Sequence, residues 1–156
     1  YKFYMIQKLA KIRPYYKYEI AELYKVSRRV LMDWLEDIEE DLENTGYVKY
    51  QQILTLKQIE MVFNWLGHPQ SVSEKDVHTT ERVLIIPYTK AEVASLYGFS
   101  QSTLFAQIES IPDEIVKLVI MDSRNHKEFY DKRHTKRIFI TSEIRLIFRY
   151  LGHPYV

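Results

Sequence analysis

The chain has 156 residues, 28% charged and 46% hydrophobic, a balance that suits a folded globular protein and excludes a disordered or fibrous one. Lys and Arg number 22 against 21 Asp and Glu, so the net charge of +1 excludes a protein-wide polyanion-binding surface and leaves only local basic patches. The absence of cysteine excludes disulfides, thiol catalysis and thiolate metal sites, and no apolar run approaches the roughly 20 residues that span a bilayer.

Residues 1–11 read as a basic, aromatic arm or helix. Lys2, Lys8 and Lys11 break up the stretch, so it does not read as a signal peptide. Phe3, Tyr4, Met5, Ile6 and Leu9 suit a packing helix, while the cations suit an arm that follows a DNA groove.

The chain then repeats itself. Residues 14–36 return as residues 87–109, an offset of 73, with 10 of 23 positions identical. The conservative swaps fall mainly on apolar positions, as in Ile20 against Val93 and Leu35 against Ile108. Residues 53–69 return as 138–154, an offset of 85, with 7 of 17 identical, and both blocks end in Leu-Gly-His-Pro. The second copy therefore holds 12 extra residues between its blocks. This is a tandem duplication: repeat one over 12–70, a linker over 71–84, repeat two over 85–156. A unit of about 60 residues is marginal by itself, so the repeats are expected to pack together.

Within repeat one, Ile20, Ala21, Leu23 and Tyr24 space a short amphipathic helix from Lys17. Ser27 is an N-cap for a second helix running from Arg28 to about Leu42, with Val30, Leu31, Trp34, Leu35, Ile38 and Leu42 as its apolar stripe. Repeat two has Gly98-Phe99-Ser100 at the same turn, Gly98 supplying a left-handed residue. Ala21 and Ala94 allow close helix crossing, and Val26 and Phe99 plug the turn. Asn44-Thr45-Gly46 marks a turn, and 47–54 reads as a hairpin or an extended wing. Thr55 caps a last helix with Ile59, Val62, Phe63 and Leu66 on one face. Leu66-Gly67-His68-Pro69 stops it, Gly67 as a left-handed cap and Pro69 as a block. The expected fold is mainly α: two helix-turn-helix units, with a wing as an option, each closed by a helix ending in Leu-Gly-His-Pro.

This order resembles a small helix-turn-helix family of unknown function found in Bacteroidetes and their mobile elements. The likeness rests on Lys17, Glu19, Ala21, Leu23 and Tyr24, on Thr45-Gly46-Tyr47, and on Ile53-Leu54-Thr55, Gln58, Ile59, Phe63, Leu66, Gly67 and Pro69. Repeat two lacks the Thr-Gly-Tyr step. The resemblance implies a DNA-binding type of fold in a cytoplasmic protein of bacterial or phage origin, with a role in transcription regulation or in a mobile element. Two copies in one chain depart from the family's usual single copy.

In such a fold the first turn of the second helix meets base edges. The candidates are Ser27, Arg28 and Arg29 in repeat one, with Met32 and Asp33 also facing outward, and Ser100, Gln101 and Ser102 in repeat two. Arginine reads guanine or clamps phosphate, and glutamine pairs with adenine. Against DNA contact in repeat one stands the acidic run Glu36, Asp37, Glu39, Glu40, Asp41 and Glu43. Phe105 reads as a buried or interface aromatic. The insert 124–137 carries six Lys or Arg against two acids and adds Lys127, Lys132, Arg133, Lys136 and Arg137 as phosphate contacts, or else docks on that acidic helix. His68 and His153 invite a symmetric metal pair, but each lies in a helix-stop motif without cysteine or clustered carboxylate, and capping is the reading adopted. No phosphate loop, nucleophile elbow or His-Glu-x-x-His helix appears, so no enzyme, metal or cofactor is expected. Double-stranded DNA is the favoured partner, without membrane contact. The alternative is a protein-interaction or virion-assembly module, with a protein partner or a homo-oligomer, that keeps the helix-turn-helix as scaffold.

Overall fold

Short helices joined by turns alternate with brief extended segments in a computed structural model that describes residues 8–71, 73, 76–114 and 138–156. The fold is mainly α, with seven helices and two small antiparallel two-stranded sheets among the described residues. The order is β1 Tyr15–Tyr16, α1 Lys17–Leu23, α2 Arg28–Glu36, α3 Glu39–Glu43, β2 Ile53–Leu54 and α4 Leu56–Leu66, then β3 Tyr88–Thr89, α5 Lys90–Tyr97, α6 Gln101–Glu109, β4 Ile138–Phe139 and α7 Thr141–Leu151.

Local chemistry starts each helix. At α1, α4, α5 and α7 the third helical residue reaches back to the backbone N–H before the helix. Glu19 accepts from Tyr16, Gln58 from Thr55, Glu92 from Thr89 and Glu143 from Ile140, at 2.8–3.0 Å. These contacts satisfy donors that a helix start leaves orphaned. Ser27 and Ser100 cap α2 and α6 by accepting from Val30 and Thr103. The turn before each capped helix holds a positive φ, 57° at Lys25 and 77° at Gly98. Repeat one thus places a lysine where repeat two uses glycine.

The helix expected from Arg28 to about Leu42 is two helices. It breaks after Glu36, where Asp37 and Ile38 donate to carbonyls only three residues back. Continuous, it would set Glu36, Asp37 and Glu40 together near a negative C-terminal dipole. Broken, it puts Glu39, Glu40 and Asp41 in the first turn of α3, where the dipole favours them. Val30 is exposed rather than on the buried stripe. The segment 47–54 forms no hairpin either, since β2 pairs with β1, Tyr15 opposite Leu54. Nor is Gly67 a left-handed cap. Gly67 and Gly152 take φ 94° and 102° with ψ near 142° and 145°, an extended mirror-side conformation open only to glycine.

That conformation closes each repeat in the same way. Tyr24 Oη donates to the Gly67 carbonyl and Tyr97 Oη to the Gly152 carbonyl, both at 2.5 Å. The next residues, His68 and His153, stack on Phe63 and Phe148 and place Nε2 at 2.6 Å and 2.7 Å from the Ala10 and Val83 carbonyls. A carbonyl only accepts, so both imidazoles carry the proton on Nε2. Backbone pairs finish the closure, Ala10 N to Pro69 O and Val83 N to Pro154 O.

Each repeat has its own core, around Ile20, Leu31, Leu35, Ile59 and Phe63 in one and around Val93, Leu104, Ile108, Ile144 and Phe148 in the other. The repeats pack together as the sequence implies. Leu56, at the start of α4 and 1% exposed, belongs to the core of repeat two, and Ile12 packs against both. Lys57 Nζ donates to the Arg149 carbonyl, and Arg82 lies 3.7 Å from Glu60. His78 fits between His68 and Tyr155. The interface is one-way. A Cβ on Gly152 would meet Leu56 Cδ2 at 2.5 Å and Lys57 N at 2.8 Å, whereas one on Gly67 would meet nothing. The counterpart of Leu56 in repeat two is Thr141, too polar to serve as the same plug.

Two expectations follow for urea unfolding. Gly67→Ala is expected to lose about 1–3 kcal/mol from backbone strain, and Gly152→Ala to lose about 1–3 kcal/mol more by overpacking against Leu56; equal losses would contradict the close approach of α7 to α4. Lys25→Gly is expected to gain about 0.5–1 kcal/mol by relieving its left-handed backbone, while an unchanged midpoint would mean that position is unstrained.

Candidate nucleic-acid interface

The two second helices present their N-terminal turns to solvent, and the residues there differ in charge. At α2, Arg28 and Arg29 are exposed beyond the Ser27 cap. Arg28 Nη2 donates to Gln52 Oε1, and Gln52 Nε2 donates in turn to the Tyr50 carbonyl at 3.0 Å. The loop before β2 therefore holds one of the two guanidinium groups in place. Among the described ion pairs, Arg28 and Arg29 are joined to neither Asp33 nor Glu36. Glu36 faces Lys49 at 3.9 Å, which offsets the last acid of α2. Met32, expected to face outward, packs part-buried against the core of repeat one, and Asp33 is exposed.

A buried cation stands behind this surface. Lys17 is 1% exposed, its ammonium donating to the Lys49 carbonyl at 2.7 Å and lying 4.9 Å from the centre of the Tyr47 ring. Burial lowers its pKa to about 8; Arg28 and Lys49 push it down further and Glu39 opposes them. Burial likewise pushes the Tyr47 phenol up to about 12.

At the start of α6 the exposed residues carry no charge. Gln101 and Ser102 are exposed, and Ser100 Oγ lies 3.1 Å from Ser102 Oγ and 3.0 Å from Thr103 Oγ1. Phe105 is half-buried with Lys90 Nζ 5.7 Å from its ring centre. Val26 and Phe99 pack against the two cores as plugs of the turn, Phe99 stacked on Tyr97, and Ala21 and Ala94 are buried where the helices cross. Lys127, Lys132, Arg133, Lys136 and Arg137 lie outside the described residues, as do residues 1–7 of the N-terminal arm.

The sequence reading missed Gln52, which orients Arg28, and an aromatic surface beside it. Tyr16 and Tyr18 are exposed with ring centres 5.6 Å apart, and Tyr50 is exposed nearby in chain order to Gln52. A signal existed: the counterparts of Tyr16 and Tyr18 in repeat two are Thr89 and Ala91, so this pair is not required by the shared fold.

No group of three or more metal-ligating side chains occurs among the described residues, and none of their helices is long and apolar enough to cross a membrane. No protein-family model, curated protein or solved structure matches the chain.

Lys17 gives the surface a pH signature. Its folded pKa of about 8 lies below the unfolded value of ~10.4, so the unfolded chain binds more protons between them. Stability is expected to rise as pH climbs from 8 toward 10, and Lys17→Met is expected to flatten that rise in chemical unfolding. The same slope in the variant would assign the effect elsewhere.

Proposed function

We propose that the protein is a non-enzymatic binder of double-stranded DNA, built as two helix-turn-helix units in one chain. One observation carries this reading: the same helix, tight turn and serine-capped second helix occurs twice, each time with the first turn of the second helix in solvent. In each unit the first helix braces the second through a buried alanine, leaving the capped end free to enter a major groove. Arg28 and Arg29 supply phosphate or guanine contacts, and Gln101 with Ser102 supplies neutral base readout.

The two units divide the work: repeat one contributes charge, repeat two selectivity. The insert cations Lys127, Lys132, Arg133, Lys136 and Arg137 add phosphate neutralisation from the sequence side. The bacterial or phage setting and a regulatory or mobile-element role follow from the family resemblance.

The test is an anisotropy titration of fluorescent duplex DNA over a range of salt. Affinity is expected to fall steeply as salt rises. Arg28→Ala with Arg29→Ala is expected to weaken binding to all sequences and to reduce the logarithmic salt slope by about 0.9 for each phosphate left without its cation. Gln101→Ala is expected to leave that slope alone and relax sequence preference. Absence of binding at low salt would overturn the reading.

A further inference from the structure

The two repeats are preceded by corresponding extended segments whose outer edges differ. Before repeat one, residues 8–11 are paired on both sides. One side meets the residues after α4, through Ala10 N to Pro69 O and Ser71 N to Lys8 O. The other meets the linker, through Lys11 N to Asp76 O and His78 N to Leu9 O, with Ala10 opposite Val77. Before repeat two, residues 81–84 at the end of the linker keep the first pairing: Val83 N bonds Pro154 O, and Val156 N bonds Glu81 O. On the second side, among the described residues, no backbone group meets Leu84 N or Arg82 O, the counterparts of Lys11 N and Leu9 O. This open edge is apolar. Leu84 is 71% exposed, Ile85 39% and Ile86 43%, with no charge between Leu84 and Pro87. Isolated proteins usually blunt such an edge with charge or proline.

We propose that this edge is a self-association surface, on which a second copy of the chain adds its own residues 82–86 as an antiparallel strand about a two-fold axis. Repeat one shows that an antiparallel strand covers the edge in this fold. Leu84 N and Arg82 O, which no described backbone group meets, complement their own copies. With Val83 opposite Val83 of the second copy, each Leu84 N–H reaches the other copy's Arg82 carbonyl, the bonding pattern that Lys11 and Leu9 make with the linker. In this register Arg82 stands opposite Leu84 and Glu81 opposite Ile85, so no like charges face directly. The Arg82 guanidinium is already engaged, 3.9 Å over the Tyr155 ring and donating to the His153 carbonyl at 2.7 Å. A two-fold contact of one patch with itself closes at two copies and builds no fibre.

The proposal is separate from DNA binding and is tested without DNA. Sedimentation equilibrium of the full chain is expected to show a monomer–dimer equilibrium. Leu84→Lys, at a solvent-facing position, is expected to give a monomer with unchanged circular dichroism and the thermal midpoint of the dilute wild-type monomer, while Leu84→Val still dimerises. Hydrogen exchange is expected to show the Leu84 amide gaining protection as wild-type concentration rises. A wild-type chain that stays monomeric, a Leu84→Lys variant that still dimerises, or a dimer with an unprotected Leu84 amide would each overturn it. So would a monomer that takes up an apolar extended peptide at this edge, since the occupant would then be another protein.

Discussion

Each repeat is held shut by one node, a glycine whose carbonyl accepts a tyrosine hydroxyl and whose neighbouring histidine reaches the extended segment just before the repeat. The conformation at Gly67 and Gly152 makes this possible. It turns the chain sharply out of the last helix, so that the next residues run back beside the first. Tyr24 and Tyr97, whose phenols burial pushes well above the usual range, arrive from the end of the first helix. One node thus ties the first helix, the last helix and both ends of the unit. None of the seven helices exceeds 11 residues, so their stability rests on such tertiary ties rather than on propensity.

The node also fixes what faces solvent. With the first and last helices tied, the second helix is anchored by Leu31 and Leu35, or by Leu104 and Ile108, and its capped start stands away from the closure. Repeat one then builds charge around that start. Gln52 holds Arg28, Lys49 offsets Glu36, and Lys17 stays buried under the surface at a cost visible in its lowered pKa. Repeat two leaves the corresponding place neutral. The duplication preserved the frame and let the two surfaces diverge, and the one-way insertion of Leu56 makes the halves unequal partners.

Much of this frame was legible in the sequence because its signals are local. Serine caps, Gly98 at the turn, Thr55 before the last helix and the Gly-His-Pro stop each act within a few residues, and the serine caps and the Gly-His-Pro stop occur in both repeats. Features that depend on distant partners were not legible. The break after Glu36 reflects competition between an apolar stripe that favours one helix and an acid run that favours two. The pairing of Tyr15 with Leu54 joins residues 39 apart in sequence, and the alternation in 47–54 does not reveal its partner. At the candidate site, the exposure of Arg28 and Arg29 followed from helical spacing. The support from Gln52 and the Tyr16–Tyr18 pair came only from the fold, as did the open edge at Leu84.

The central claim is that both capped helix starts are working surfaces for duplex DNA. The most direct measurement is a residue-resolved NMR titration of the isotope-labelled chain with a short duplex at low salt. The account expects the largest amide shifts at residues 27–30 and 100–103, fading as salt is raised. Shifts absent from both helix starts at stoichiometric duplex would contradict it.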